Sequence, residues 1–444
     1  MEEENLSKRI GKKRGRCYNI KSESKNAKDG LGEKGLEKIQ QLFLQAMNAA
    51  VKNEQVDWQE PLTGGQWQEL FHMAQVHRVL PMVFQAVYAC PAAASADRGL
   101  MGWHRLQTMQ HVTLQTQKTA QFLPVLEALR TAGVHPLVVK GIVCRSLYPE
   151  PDYRLSSDED ILVCPEEFDT CRRVLEELGM TCEGSDPDSY EIPYVLPGTA
   201  QLIELHRSLF PRESEAYGDL NRFFERVHAH SFEAGGIPTL PPTEHLLYLI
   251  LHAYKHFLHS GFGIRQVCDL IFFANAWGAE LDWGYILECC TQVRAQQFAA
   301  ALFRIGRRYL NFSLEDARYP LQWQAIYVDE QALLEDILSA GVYGDADMSR
   351  KHSSNITLQA VASRDKGGSG HGLLKSVFPS ARDLENRYPY LKTKPILLPV
   401  AWTDRLLKYR RETVSTAGNS PGGSIRIGSA RVELLRQYGI LDKK

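Results

Sequence analysis

The sequence predicts an α+β protein in which a small β-sheet is embedded in a mostly helical chain. Apolar residues recur at helical spacing over residues 34–132 and again over residues 239–312. Between them, residues 133–238 carry short, β-branched apolar runs separated by turns, which is typical of strands. With 444 residues, 44% of them hydrophobic, the chain can bury a sizeable core and form more than one domain.

Composition excludes several classes of protein. The formal net charge is −2, so the chain as a whole has no bias toward nucleic acid, which is not an expected partner. No apolar run approaches the roughly 20 residues of a membrane span, and the charged N-terminus lacks a signal-peptide core. We therefore expect a cytoplasmic protein without a membrane partner. The nine cysteines contain no C-x-x-C pair, which argues against zinc ribbons and thioredoxin chemistry.

Residues 1–33 form a polar, basic segment. Between residues 5 and 28, nine basic residues accompany a single acid, Glu23. Few large apolar residues are present, so this segment is predicted to be a disordered tail. A nucleic-acid-binding arm is the less favoured alternative.

Residues 34–132 are predicted to be an N-terminal helical region. In each expected helix, an apolar residue recurs every third or fourth position, which places these side chains on one face. The helices are expected at residues 36–50, 67–88 and 101–131.

Residues 133–238 are predicted to form the core of the protein around a sheet. Strands are expected at residues 136–139, 160–164 and 201–205. The second strand leads into a predicted helix that begins at Pro165 and ends before Gly179.

The C-terminal half returns to helical spacing. A region at residues 239–312 contains three expected helices, at 243–260 with Thr243 as the N-cap, at 264–276 and at 283–310. Residues 313–444 are interpreted as an extension with two flexible, low-complexity loops, at 363–372 and 416–429.

The stretch RLSSDEDILV at residues 154–163 concentrates acid at the start of a strand. Alternate strand residues share a face, so Asp158 and Asp160 are expected to point one way and Glu159 the other. A pair of carboxylates on one face suits Mg²⁺, which takes oxygen ligands and keeps water and phosphate in its remaining positions. This pattern alone is weak, because many surface turns contain it.

Two neighbouring segments strengthen the metal hypothesis. Upstream, Lys140-Gly141 ends a strand and opens a helix, a place where backbone N–H groups can receive a phosphate. Downstream, Glu204 is the one acid on an apolar strand, and it shares a face with His206. A buried carboxylate needs a partner, and a metal shared with Asp158 and Asp160 would supply it.

The order of these segments resembles the nucleotidyltransferase superfamily of the DNA polymerase β type. More narrowly, it resembles a bacterial family of uncharacterised nucleotidyltransferases. The matching segments are Lys140-Gly141, Leu147-Tyr148-Pro149, Arg154, Asp158-Glu159-Asp160 and Glu204-Leu205-His206. The resemblance extends over about residues 74–276 and returns at residues 388–391 and 399–402.

The resemblance implies a polymerase β-like sheet and a two-metal phosphoryl transfer. Asp158, Asp160 and Glu204 would be the catalytic, metal-binding residues, with Mg²⁺ as cofactor and Mn²⁺ as an alternative. A nucleoside triphosphate, such as ATP, would be the substrate. The nucleotide-binding residues would include Lys140, Gly141 and Arg154. Gly141, with the amide beside it, would receive a terminal phosphate.

Two residues depart from the family pattern, and both lie beside predicted site residues. Ile142 stands where a small residue usually follows the glycine, and Glu159 stands where an apolar residue usually separates the two aspartates. A buried strand would penalise that acid unless Glu159 lies at an edge, is solvated or has a cationic partner.

Four histidines, His245, His252, His256 and His259, fall near one face of the helix predicted at 243–260. The resemblance implies that His252, Lys255 and His256 line the cleft opposite the carboxylates and bind the nucleotide or the acceptor. A zinc hydrolase built on the His252/His256 pair is one alternative, although the general base of the H-E-x-x-H motif is missing.

The acceptor is not readable from the sequence. A small molecule, a sugar or a peptide could supply the hydroxyl or phosphate that is modified, and tailoring of a natural-product peptide is among the options. A catalytically weak module that binds a peptide or a partner protein is the alternative from another class.

Overall fold

The computed structural model describes most of the chain from residue 36 onward. The described residues are 36–182, 189–212, 214, 216–230, 232–341, 357–358, 360–361, 384, 388–404 and 421–442. The predicted basic tail at 1–33 and the predicted loop at 363–372 lie outside them. The mixed α+β architecture is confirmed: helices dominate, and one small mixed sheet lies among them.

Four helices make up the N-terminal region. They are α1 (Lys38–Val51), α2 (Gly64–Val76), α3 (Leu80–Val87) and α4 (Arg98–Thr131). The single helix predicted at 67–88 is wrong, because the chain breaks between α2 and α3 at Arg78, which has a φ of +54°. α2 begins at a capping box in which the Thr63 hydroxyl accepts from the Gln66 amide at 3.2 Å.

The sheet has five strands in the order β1-β2-β5-β4-β3. They are β1 (Leu137–Val139), β2 (Glu159–Leu162), β3 (Thr181–Cys182), β4 (Glu191–Val195) and β5 (Leu202–His206). The three predicted strands correspond to β1, β2 and β5, whereas β3 and β4 were not predicted. β3 is short and exposed, and β4 contains Pro193, which argues against a strand when only the sequence is read.

Strand pairing brings the predicted acids together. β2 runs parallel to β5, and Asp160 lies directly opposite Glu204 in the register. On the other side, β2 pairs antiparallel with β1, so that Val139 lies opposite Asp160. The side chains of Ile161 and Leu205 are fully buried. Their burial fixes the register, because a slip of one residue would move every side chain to the other face.

The remaining elements follow in chain order. Two are within the core, α5 (Gly141–Arg145) and α6 (Phe168–Glu177), and a hairpin, β6 (Phe232–Ala234) and β7 (Ile237–Thr239), closes it. The later helices are α7 (Pro242–Leu258), α8 (Ile264–Trp277), α9 (Trp283–Gln292), α10 (Gln296–Tyr309), α11 (Leu321–Gln324), α12 (Glu330–Ala340) and α13 (Pro421–Gln437). No described helix combines the length and the apolar character that crossing a membrane requires.

Three expectations for the C-terminal half are wrong. The N-cap of α7 is Pro241, and the Thr243 hydroxyl instead donates to the Glu280 carbonyl at 3.2 Å. The helix predicted at 283–310 is two helices, because the chain turns at Arg294, which has a φ of +59°. Residues 421–429 of the predicted loop 416–429 are helical, despite a glycine content that is typical of loops.

Helix α13 packs against the end of α7. The buried Arg431 guanidinium donates to the carbonyls of His259 and Phe257, and it pairs with Asp336 at 3.5 Å. These contacts satisfy carbonyls that the C-terminal end of α7 leaves without helical partners. The C-terminal extension therefore stabilises the helix that carries His252, Lys255 and His256.

Candidate active site

The carboxylates of neighbouring strands converge at one edge of the sheet. Ligand atoms of Asp160, Glu204 and His206 all lie within 4.8 Å of one another. Within the described part of the chain, they are the one cluster of three such residues that could hold a metal ion. Asp158 lies just before β2 and lines the same cleft, and its carboxylate accepts from the Ser157 hydroxyl at 3.0 Å.

Both oxygens of Asp160 are engaged by cationic side chains. Lys140 Nζ lies 3.0 Å from Oδ2, and His206 Nε2 donates to Oδ1 at 3.1 Å. Burial by itself would raise the pKa of Asp160, but the two cations outweigh it and hold the pKa below its usual range. Asp160 is therefore ionised in the folded protein.

His206 was predicted only to share a face with Glu204, yet it belongs to the cluster. Its Nε2 lies 3.8 Å from Glu204 Oε2. Burial opposes its charge, but the hydrogen bonds to Asp160 and Glu204 raise the pKa of His206 to about 9. The period-two spacing of Glu204 and His206 was the sequence signal for this contact.

Lys140 is held in an unusual backbone conformation. Its φ is +57°, and its amide donates to Nε2 of the buried His245 at 3.3 Å. The side chain points into the cleft, where Nζ also lies 3.3 Å from His252 Nε2. Burial alone would lower the pKa of Lys140, but Asp160 and the other carboxylates raise it well above its usual range. Lys140 is thus a fixed cation over the carboxylate cluster.

Glu159 faces the opposite side of β2 and is completely buried. Its carboxylate forms an ion pair with the buried Arg145 and accepts from the Ile142 amide at 2.7 Å. Glu159, which departs from the family pattern, thus has a cationic partner, one of the three possibilities expected for it. A Cβ on Gly141 would collide with this carboxylate, so the glycine is required where Glu159 approaches.

Arg154 lies in a small cavity that adjoins the cleft and shares Asp158 and Asp160 with it. The guanidinium forms a bidentate pair with Asp269, at 2.7 and 2.8 Å, and donates to the Gly141 carbonyl at 3.3 Å. The cavity has a volume of about 30 Å³, which is room for roughly one water molecule. In this arrangement Arg154 links Asp269 on α8 to the turn at Gly141.

The segment that leads to Asp158 accepts hydrogen bonds from helices on two sides. From α8, Arg265 donates to the Leu155 carbonyl. From α4, Lys118 Nζ donates to the carbonyls of Ser156 and Ser157 at 3.0 and 2.6 Å. Both helical regions therefore position the acidic strand, through individual contacts that were not predicted from the sequence.

Helix α7 forms the wall opposite the sheet. It presents His252, Lys255 and His256 to a cleft of about 310 Å³ that also contains the carboxylates. The Nε2 atoms of the two histidines lie 3.3 Å apart. Burial holds the pKa of both imidazoles well below its usual range and also lowers the pKa of Lys255. The structure thus brings the predicted site residues together around this cleft, with Gly141 and Arg154 in the adjoining small cavity.

A comparison with protein families now adds to this geometry. The model of a family described as uncharacterised nucleotidyltransferase matches residues 63–311. The chain belongs to this family. The predicted resemblance to these nucleotidyltransferases is confirmed, over a longer stretch than the expected 74–276, and every predicted site residue lies within it.

The family match leaves other parts of the chain without a counterpart. The predicted return of the resemblance at 388–391 and 399–402 lies outside the matched residues. A search of curated proteins and a search of solved structures found no match.

Proposed function

We propose that this nucleotidyltransferase moves a nucleotidyl group from a nucleoside triphosphate to a hydroxyl or phosphate of a small molecule, sugar or peptide. A donor that carries a nucleotide-linked group is a variant of the same reaction. The observation that supports the proposal most is the register of β2 and β5, which sets Asp160 beside Glu204 in a cleft. A polymerase β-like core is part of the proposal, and so is a cytoplasmic setting, where nucleoside triphosphates are available.

The residues present fit a divalent cation. Asp158, Asp160 and Glu204 offer carboxylate oxygens in one cleft, the donors that Mg²⁺ and Mn²⁺ prefer. When bound, such ions would neutralise phosphate charge and stabilise the attacking and leaving oxygens. His206 is a further nitrogen donor beside the same oxygens.

The proposed reaction is an in-line displacement at the α-phosphorus. An acceptor oxygen forms a bond to this phosphorus, the bond from the α-phosphorus to the bridging oxygen breaks, and pyrophosphate leaves with the electron pair. Glu204 takes the acceptor proton, because it is the most solvent-accessible member of the cluster, with a side chain 28% exposed.

The cations of the cleft are assigned to the donor phosphates. Lys140 lies over the carboxylates, and Lys255 faces it from α7 with His252 and His256. Gly141 and Arg154 are assigned to the shape of the turn beside Lys140, since Arg154 is committed to Asp269. This arrangement presents positive charge to the donor phosphates next to the carboxylates that are assigned to the metal.

A catalytically weak binding module is the second candidate. It is favoured by the two protein cations that already compensate Asp160. A zinc hydrolase is not favoured, because in the described ranges no third His, Cys, Asp or Glu completes a cluster with His252 and His256.

Pyrophosphate release tests the proposal. Purified protein is incubated with Mg²⁺, each labelled triphosphate in turn and a panel of hydroxyl acceptors. Wild type should release pyrophosphate, and Asp158→Ala/Asp160→Ala should not. Exposed Glu69→Gln on α2 is a matched control for loss of a carboxylate and should behave as wild type. Equal release by wild type and the double variant would leave the binding module as the better account.

A further inference from the structure

The turn at Lys140-Gly141-Ile142 already contains an anion. In the proposed donor complex, the backbone amides of this turn are where a terminal phosphate is expected. The amide of Ile142 donates instead to Glu159 Oε2 at 2.7 Å. The carboxylate also fills the space beside Gly141, where even a methyl group would not fit.

The structure holds this carboxylate in place from behind. Arg145, only 2% exposed, pairs with Glu159, and its guanidinium also donates to Thr119 on α4. Moving Glu159 aside would leave the buried Arg145 cation without its partner, which is strongly destabilising. A phosphate that approached the occupied turn would in addition meet a like charge in a desolvated place.

A different cation of the cleft is free to receive phosphate. Lys255 lies over the ring of Tyr190, with Nζ 5.8 Å from the ring centroid. Among the residues that the structure describes, no carboxylate lies within ion-pair distance of this ammonium. It faces the cleft together with His256, on the side away from the Gly141 turn.

We propose that Glu159 permanently occupies the phosphate position of the Gly141 turn, so that the donor's phosphate chain is held by the Lys255 side of α7. This inference rests on the proposed function, because it concerns the donor of that reaction. Glu159 is then a residue that determines where the phosphate chain of the donor binds. The site selects a phosphate chain that ends against α7 rather than against a backbone turn.

Binding of inorganic tripolyphosphate with Mg²⁺, measured by calorimetry, tests this assignment without turnover. Lys255→Met should raise the Kd at least tenfold, whereas Lys52→Met, which removes an exposed lysine at the end of α1, should bind as wild type. Glu159→Gln keeps a carbonyl oxygen for the Ile142 amide and should change the Kd by less than threefold.

The opposite pattern would overturn the inference. If tripolyphosphate displaces Glu159 from the turn, Glu159→Gln removes a competing charge and should tighten binding tenfold or more, and Lys255→Met should have little effect. Absence of binding to wild type would equally contradict it.

A second measurement does not depend on whether the variants fold. Hydrogen exchange of wild-type peptides that contain Ile142 should be unchanged by tripolyphosphate, since the amide keeps its Glu159 partner, and protection should increase around Lys255. Increased protection at Ile142 alone would overturn the inference. Loss of the proposed function is recognised separately, as pyrophosphate release that persists in Asp158→Ala/Asp160→Ala.

Discussion

Adjacent residues on β2 belong to two different regions of the molecule. Asp160 faces the cleft, where Lys140 and His206 engage it next to the partly exposed Glu204. Glu159 faces the scaffold behind the strand, where Arg145 and a backbone amide enclose it completely. Both carboxylates are ionisable and buried, so burial alone does not separate a reactive acid from a structural one.

What separates the two regions is access. The cleft of about 310 Å³ leaves space beside its charged residues for the proposed substrate and metal. Glu159 and Arg145 are almost completely buried, and the cavity beside the pair of Arg154 and Asp269 has room for roughly one water molecule. We therefore expect substitutions in the cleft to change activity and substitutions in the scaffold to change stability.

The largest effect is expected from Asp160→Asn. The variant keeps the size of the side chain but loses a charge that is proposed to bind the metal directly. Turnover should therefore fall at least about 100-fold, the largest loss that is typical of residues that only support a metal ligand. Steady-state pyrophosphate release measures it, with Glu69→Gln as the matched control. A fall of less than about tenfold would place Asp160 outside the catalytic group.

Breaking the pair of Arg154 and Asp269 should have a large effect on stability. Asp269→Asn leaves the buried Arg154 without its bidentate partner, so the free energy of unfolding should fall by about 3–5 kcal/mol. Urea denaturation of the variant and wild type measures this change.

The double variant Arg154→Met/Asp269→Asn removes both charges and is the control for that experiment. It should recover most of the lost stability and keep tripolyphosphate affinity within about threefold of wild type. If a stable double variant lost affinity for tripolyphosphate, Arg154 would be a phosphate-binding residue.

A smaller effect on stability is expected from protonation of His77, a buried histidine at the end of α2 that lies outside the cleft. The neutral ring accepts from the Ile264 amide and donates to the Leu338 carbonyl, each at 3.3 Å. Burial lowers the pKa of His77 from 6.5 to about 4. The unfolded chain therefore binds the proton more readily, and stability should fall as the pH drops from 6.5 toward 4.

The magnitude of this acid-induced loss is up to roughly 3 kcal/mol, from a shift worth 1.36 kcal/mol per pKa unit. Urea denaturation at several pH values, with wild type compared with His77→Gln, measures it. The difference in free energy of unfolding between the two proteins should shrink as the pH falls from 6.5 to 4. A difference that is constant over this range would contradict the scaffold assignment of His77.

The sequence predicted the parts of the fold that depend on local pattern. Apolar strand runs and period-two spacing were enough to place β1, β2 and β5, and the convergence of Asp160 with Glu204 follows from them. β4 was not predicted because it contains Pro193, and proline is rare inside strands. The residue pattern also separated Glu159 from its neighbours, although it could not identify the partner.

Contacts between segments that are far apart in the chain could not be predicted from the sequence. The resemblance to the nucleotidyltransferases implied a phosphate-binding role for Arg154, and the sequence held no sign that Asp269, 115 residues away, binds its guanidinium. Likewise, Lys118 on α4 holds the carbonyls before Asp158 across 38 and 39 residues. Such pairs are decided by how helices pack on the sheet, and a single sequence contains no local signal for them.

The most direct test of the central claim is a structure of the protein with Mg²⁺ and a non-hydrolysable nucleoside triphosphate. We predict metal density against Asp158, Asp160 and Glu204, with the phosphate chain between these carboxylates and α7. Glu159 should still accept from the Ile142 amide. Triphosphate density away from the three carboxylates would contradict the assignment of the active site.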